Sequence, residues 1–227
     1  MTDYGYAECS SSCIHTLALF REHYPGYRRA EINAAIREGL KFVLSLQRPD
    51  GSFYGSWGVC FTYAAWIVAS ALCISREIPD MANHPSCVRL IDFLLSHQNA
   101  DGGWGEDVTA SVRSLWVDNP SGSQVVNTAW AVMAIMSAAG EAARSLPRWR
   151  EQISVAVERG IRLIMSRQLV TGDWAQERIS GVFNGNNPIH YPGYKNTMPV
   201  WALGMYNKWK KTYTAPTAPL MHPSGGI

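Results

Sequence analysis

The sequence of 227 residues predicts an all-α protein, an incomplete α/α barrel in which inner and outer helices alternate. Three observations lead to this prediction. A turn motif recurs three times, and helical runs with one polar face alternate with runs that are apolar nearly all round. About seven such runs are present, whereas a closed ring of six helix hairpins needs about twelve helices. We therefore expect the ring to stay open.

The recurring motif is a Gln at the end of a helical run, a short turn with Gly, and an aromatic residue six positions after the Gln. The Gln can bond backbone groups left without partners at a helix end, and the Gly permits a left-handed turn. An indole adds a large apolar surface with one donor. Each copy is therefore expected to fasten one helix to a neighbouring helix end. The three copies are Gln47 to Phe53, Gln98 to Trp104 and Gln168 to Trp174.

Helical periodicity distinguishes the two kinds of helix. Outer helices, with an apolar stripe opposed by polar residues, are predicted near residues 32–47, 87–98 and 153–168. Inner helices, apolar nearly all round, are predicted near residues 10–20, 60–74, 125–139 and 197–209. The inner helices are expected to be the more buried. Residues 1–212 are assigned to the barrel, and the Pro- and Gly-containing tail 213–227 is expected to be disordered.

Composition excludes several classes of protein. A net charge of +2 with dispersed Lys and Arg gives no electrostatic support for nucleic-acid binding. Five Cys, an odd number without paired ligand spacing, indicate reduced thiols in a cytosolic setting and neither a disulfide framework nor a zinc site. The N-terminus has no signal-peptide pattern. The longest apolar stretch, 59–74, is too short to span a bilayer.

The repeat resembles the QW motif of triterpene cyclases, the family of squalene-hopene and oxidosqualene cyclases. Phe53 stands where the motif usually has Trp. Further blocks resemble the same family in the same order, over about residues 3 to 210. These blocks are Asp3–Ser10, Gly51–Tyr63, Asp101–Asp107, Val126–Ala131, Gly181–Asn184, Tyr191–Asn196 and Pro199–Gly204.

The resemblance implies an isomerase that cyclises oxidosqualene or squalene through carbocations and needs no cofactor or metal. In that family an Asp within an Asp-Cys-Thr-Ala-Glu motif protonates the epoxide, and this sequence lacks the motif. The chain is therefore expected to be a C-terminal part that contributes cavity wall and is inactive alone. A missing N-terminal half or a second copy is the expected partner. Family members act on the cytoplasmic side, peripherally on the endoplasmic reticulum or lipid droplets, and this chain is expected to lack their membrane-inserting part.

The resemblance also assigns candidate site residues. Trp57, Phe183, Tyr191 and Tyr194 resemble aromatic residues that line the substrate cavity, where π faces stabilise cations. Cys9 resembles the Cys that hydrogen-bonds the catalytic Asp. These four aromatic residues are expected to converge on one concave apolar surface, although they are far apart in sequence.

Four further positions carry expectations of their own. Glu106 and Asp107 are expected to cap or support the turn at Trp104. His190, beside Tyr191, is a candidate acceptor of the terminal proton, although a loop His is more often exposed or structural. Asn187 differs from the residues at the matching position in the family. The cyclic product made by those relatives therefore cannot be assigned to this chain.

Two alternatives remain open. One is a truncated, non-catalytic cyclase-like protein that binds isoprenoid lipid or a partner chain through uncovered inner helices. The other is a prenyltransferase-type barrel, which needs an Asp, Cys and His zinc set. The sequence offers six His without a convincing Cys and Asp constellation; they are His15, His23, His84, His97, His190 and His222.

Overall fold

A computed structural model describes residues 5–140, 147–183 and 185–213, without the side chains of 147–150, 212 and 213. The tail expected to be disordered lies, from residue 214 onwards, outside the described residues. The described helices are α1 (Ala7–His23), α2 (Arg29–Ser45), α3 (Phe61–Ser75), α4 (Pro85–Ser96), α5 (Thr109–Arg113), α6 (Val125–Ala139), α7 (Pro147–Ser166) and α8 (Tyr194–Tyr213). A short antiparallel hairpin joins β1 (Gly181–Phe183) to β2 (Asn187–Ile189).

The helices form an arc of two layers, as the sequence predicts. In the inner layer α1 packs on α3, α3 on α6, and α6 on α8. The outer helix α2 packs on α1, while α4 and α7 pack on α6. The all-α prediction is confirmed except for the hairpin, which lies between α7 and α8. None of the described helices is both long enough and apolar enough to cross a bilayer.

The predicted burial order holds only for the middle of the inner layer. All residues of α6 are buried, and so are ten of the fifteen residues of α3. For α1 and α8 the prediction is wrong, since Phe20 is 37% exposed and Trp201 is 44% exposed. The physical reason is position. Each of these two helices has an inner neighbour on one side only, so its apolar faces are only partly covered.

The first two copies of the repeat motif make the same hydrogen bonds. Nε2 of Gln98 donates to the carbonyls of Gly102, 2.7 Å away in its own turn, and Ala156, 2.9 Å away in α7. Nε2 of Gln47 makes the corresponding bonds to Gly51 and to Ser86, at the start of α4. In both copies the receiving carbonyl belongs to the residue twelve positions before the next Gln of the repeat.

The turn glycines of these two copies are pressed against the receiving helix. A Cβ on Gly51 would lie 2.4 Å from the carbonyl oxygen of Arg89, and one on Gly102 would lie 2.7 Å from Cβ of Arg159. Both glycines have φ near +90°, a region that other residues rarely adopt. Close approach and backbone conformation therefore both require glycine here.

The third copy of the repeat motif makes different contacts. Nε2 of Gln168 donates to the Gly172 carbonyl at 2.9 Å within its own turn, and the Gln side chain is exposed. A Cβ on Gly172 would meet nothing within 4 Å. The expectation that Gln168 reaches a neighbouring helix end is therefore wrong, because no outer helix of the described chain lies there. Lys195, at the start of α8, instead holds this turn through Asp173 and the Trp174 carbonyl.

This contrast gives a stability prediction. Gln98→Ala is expected to lower the free energy of unfolding by about 1–3 kcal/mol, because it leaves buried carbonyls without their donor. Gln168→Ala is expected to lower it by less than about 1 kcal/mol, since water can replace the exposed amide. Urea unfolding of both variants checks the difference, and equal losses would contradict the geometry.

Candidate functional site

The loops before the inner helices meet at one end of the arc. Glu8 in the first turn of α1 contacts the loop before α3, and Asn127 of α6 donates to the Val59 carbonyl in that loop at 2.8 Å. The loop also pairs with β1, since the amide of Val59 donates to the Ser180 carbonyl at 2.9 Å. The candidate residues from distant parts of the sequence therefore lie near each other.

Trp57 and Phe183 are in direct contact. Their ring centroids lie 5.2 Å apart at an interplanar angle of 73°, an edge-to-face arrangement. The backbone fixes this pair, because the amide of Val182 donates to the Trp57 carbonyl at 3.2 Å. Phe183 is 37% exposed, so part of its ring remains open to solvent.

Tyr191 and Tyr194 belong to a second group of rings. Their centroids are 4.9 Å apart, and Tyr194 also meets Trp130 of α6 edge to face at 5.4 Å. Trp130 in turn contacts Tyr63 of α3 at 5.2 Å. These six rings, of Trp57, Phe183, Tyr191, Tyr194, Trp130 and Tyr63, are called the aromatic cluster below.

Two glycines bring the two ring groups together. A Cβ on Gly181, in the same strand as Phe183, would lie 2.2 Å from the Tyr191 ring. A Cβ on Gly58, next to Trp57, would lie 2.4 Å from the Tyr63 ring. The backbone of one group therefore lies directly on rings of the other. The structure brings the four predicted aromatic residues together.

Glu8 is a buried carboxylate beside this cluster. It is 3% exposed, and Oε1 accepts hydrogen bonds from the backbone amides of Ser56 and Trp57. A buried carboxylate needs such donors because burial without them is strongly unfavourable. Glu8 thereby ties the first turn of α1 to the segment that carries the Trp57 ring.

Cys9 lies on the same turn and is exposed. The pKa of Tyr63 is raised mainly by burial. Tyr194, Glu8 and the Cys9 thiol raise it further, in that order. Burial likewise raises the pKa of the Tyr194 hydroxyl. Cys9 thus follows Glu8, which binds the segment that carries Trp57, and both tyrosines are neutral at physiological pH.

The expectation for Glu106 is wrong. Its carboxylate, which is fully buried, accepts hydrogen bonds from the amides of Cys60, Phe61 and Thr62 and from the Thr62 hydroxyl, at 2.6–3.1 Å. It therefore caps α3 and does not support the Trp104 turn. Burial raises its pKa, and the bonds from Thr62 and the three amides lower it. Asp107 accepts from the amide and hydroxyl of Thr109 and starts α5.

The remaining candidates lie at the edge of the cluster. His190 is exposed and follows β2 directly. Asn187 is paired with Phe183 in the hairpin register and is also exposed. Both are therefore accessible from solvent, and Asn187 lies opposite Phe183 in the hairpin.

Sequence reasoning missed three residues of this region. Tyr63 and Trp130 lie in apolar helical runs that look like ordinary core, and no local signal separates them from it. Glu8 is a lone acid at the start of an apolar helix, which is itself a signal. Such an acid is either exposed or, if buried, needs hydrogen-bond donors. Within the Asp3–Ser10 block, the resemblance matches Glu8 to a flanking position and not to the acid.

Comparisons with known proteins agree with the fold and the sequence blocks. The family described as "Squalene-hopene cyclase C-terminal domain" matches residues 1–208. Lanosterol synthase of Mus musculus is 43% identical over 208 residues, which cover 91% of this chain and 27% of that protein. Cycloartenol synthase of Dictyostelium discoideum is 44% identical over 209 residues, covering 92% of this chain and 28% of that protein.

A solved structure shows the same fold at low identity. The ent-copalyl diphosphate synthase from Streptomyces platensis has a TM-score of 0.69 and 18% identity, covering 91% of this chain and 34% of that one. The chain spans about a quarter of the length of the curated relatives that it matches. On the family match and these identities, the chain belongs to the triterpene cyclases, as a C-terminal domain of the squalene-hopene cyclase type.

Proposed function

We propose that this chain forms one wall of the cavity in which a triterpene cyclase closes oxidosqualene or squalene into rings through carbocations. The observation that supports this most strongly is the aromatic cluster at the start of the inner helices. Its members come from residues 57 to 194, yet neighbouring rings lie about 5 Å apart. The curated relatives are named as lanosterol and cycloartenol synthases.

The chemistry of the wall suits carbocations. Aromatic faces attract positive charge through their quadrupoles, by about 0.5–1 kcal/mol at exposed sites and about 2 kcal/mol when water is excluded. Buried tyrosines whose pKa is raised stay uncharged, so they supply rings and no competing anion. Trp57 and Phe183 would stabilise positive charge that develops on the loop side of the cavity. Tyr191 and Tyr194 would stabilise positive charge beside α8.

Both buried acids of the described chain, Glu8 and Glu106, already accept hydrogen bonds from backbone amides. Protonation of an epoxide needs an acid within hydrogen-bond reach of its oxygen. Glu8 uses Oε1 to hold two backbone amides, and Glu106 accepts four hydrogen bonds as the cap of α3. We therefore assign the acid to polypeptide outside these 227 residues and expect the chain alone to be inactive.

Cys9 is proposed as a positioning residue for that acid. It follows Glu8 at the start of α1, and its thiol is exposed where a further segment could contact it. A thiol is a weak donor that can orient a carboxyl group. Kinship with complete cyclases also supports a peripheral position of the whole enzyme on the endoplasmic reticulum or lipid droplets.

The direct test is incubation of the purified, folded chain with oxidosqualene and with squalene, followed by analysis of the extract by gas chromatography and mass spectrometry. We expect the substrate to be recovered unchanged. We also expect the chain to bind the substrate, and Trp57→Leu to weaken that binding. Cyclic triterpene in the extract would contradict the inactivity of the isolated chain. Binding that is insensitive to Trp57→Leu would contradict the proposed cavity wall.

A further inference from the structure

A concave site lies along the inner helices next to the aromatic cluster, since Trp66 in its wall lies 6.3 Å from Tyr63 of the cluster. It is a groove of about 210 Å³ between α1, α3 and α8. This volume is below the range of about 300–1,000 Å³ typical of sites for drug-sized ligands. It therefore suits a small molecule or one end of a longer one.

One wall of the groove is aromatic. Trp66 of α3 and Trp201 of α8 meet edge to face, with centroids 5.1 Å apart at an angle of 83°. Trp201 is 44% exposed, so part of its ring is available to a ligand. A ligand with a hydrocarbon body lying on these rings would remove that surface from water.

The opposite wall is polar and comes from a single face of α1. Ser11 and His15 form one pair four residues apart and Ser12 and Thr16 form another, and all four residues line the groove. The Thr16 hydroxyl is already used, because it donates to the Ser12 carbonyl at 2.9 Å. Burial lowers the pKa of His15, so its imidazole is neutral and offers one donor and one acceptor.

Ser11 is the informative residue of this wall. It is fully buried, it lines the groove, and its hydroxyl makes no hydrogen bond within the described part of the chain. A buried hydroxyl without a partner is unfavourable. A ligand that brings a hydrogen-bonding group to this position would satisfy the hydroxyl.

The groove carries no charged side chain, since none of its lining residues is Asp, Glu, Lys or Arg. Binding of a phosphate, a carboxylate or an ammonium group would therefore leave the ligand charge without a partner, which is unfavourable. An alcohol fits, because its hydroxyl can donate to and accept from Ser11 and His15 while the hydrocarbon covers the tryptophans.

We propose that this groove binds the hydroxyl end of an uncharged, apolar alcohol, with the hydroxyl at Ser11 and His15 and the hydrocarbon on Trp66 and Trp201. Trp57 and Phe183 do not line this groove. It requires no cyclisation, so it stands or falls independently of the proposed cavity wall.

The test compares two probes by equilibrium dialysis against the folded chain: geraniol, and 2,6-dimethyl-2,6-octadiene, the same carbon skeleton without the hydroxyl. We expect geraniol to bind about fivefold or more tightly than the hydrocarbon, the effect of one net hydrogen bond to a buried group. Ser11→Ala should reduce this preference to less than about twofold, and Trp201→Ala should weaken both probes.

Thr16→Ala is the matched control, because it removes a hydroxyl of the same wall that already has a partner. It should leave the preference for geraniol unchanged. Equal affinity of the two probes for the unmodified chain, absence of binding, or a preference that survives Ser11→Ala in a folded variant would each overturn the proposal.

Discussion

Replacement of Glu106 by Gln is expected to lower the free energy of unfolding by about 2–6 kcal/mol, although the two side chains have nearly the same shape. One carboxylate oxygen accepts from the amides of Cys60 and Phe61, and the other accepts from the amide and hydroxyl of Thr62. An amide nitrogen at either position would face two donors. Two buried donors would then lose their acceptor, at about 1–3 kcal/mol each.

The matched control is Asp107→Asn at the next position. Both bonds to Asp107 go to the same oxygen, Oδ1, so an Asn oxygen can keep the amide and the hydroxyl of Thr109. Denaturant unfolding monitored by circular dichroism should show a loss of less than about 1 kcal/mol for this variant. If Glu106→Gln is as stable as Asp107→Asn, the carboxylate does not hold the start of α3.

Trp104→Ala is expected to lower the free energy of unfolding by about 3–5 kcal/mol, the range for truncation of a fully buried Trp. The ring is completely buried, and its Nε1 donates to the Leu94 carbonyl at 2.7 Å. Gly160 of α7 lies against it, since a Cβ there would approach the ring to 3.1 Å. The truncation would therefore leave a cavity between α4 and α7.

Trp104→Phe separates the two contributions. It keeps most of the apolar volume and removes the indole donor, so a loss of about 1–2 kcal/mol is expected. The first copy of the repeat already has Phe at this position, and Phe53 is fully buried without an indole bond. Val170→Ala, at an exposed position, serves as a control. It should change the free energy of unfolding by no more than about 0.5 kcal/mol. A loss below 1 kcal/mol for Trp104→Ala would contradict the role of this ring.

Local pattern was sufficient to predict most of the fold. The periodicity placed α6 at residues 125–139, the bounds that the structure shows, and the repeat identified where α2, α4 and α7 end. The Asn-Gly pair at 184–185 is a hairpin signal that the sequence analysis did not use. The exposure of α1 and α8 could not be predicted from composition, because burial depends on how many neighbours a helix has.

The candidate site was predicted where motif resemblance could be applied residue by residue, at Trp57, Phe183, Tyr191 and Tyr194. The residues around them depend on contacts between distant segments. Glu106 lies 44 or more positions from the amides that it caps, and Glu8 lies 48 positions from Ser56. Such pairs leave no local pattern, and a single sequence does not reveal which buried acid meets which helix start.

The aromatic cluster is proposed to stabilise positive charge on an isoprenoid. The most direct measurement compares the affinity of the chain for a linear isoprenoid with a tertiary ammonium group and for the hydrocarbon of the same shape. We expect the ammonium compound to bind about threefold or more tightly, and Trp57→Leu to remove most of that difference, since cation–π attraction at partly exposed rings is about 0.5–1 kcal/mol. Equal affinities, or a preference unaffected by Trp57→Leu, would contradict the claim.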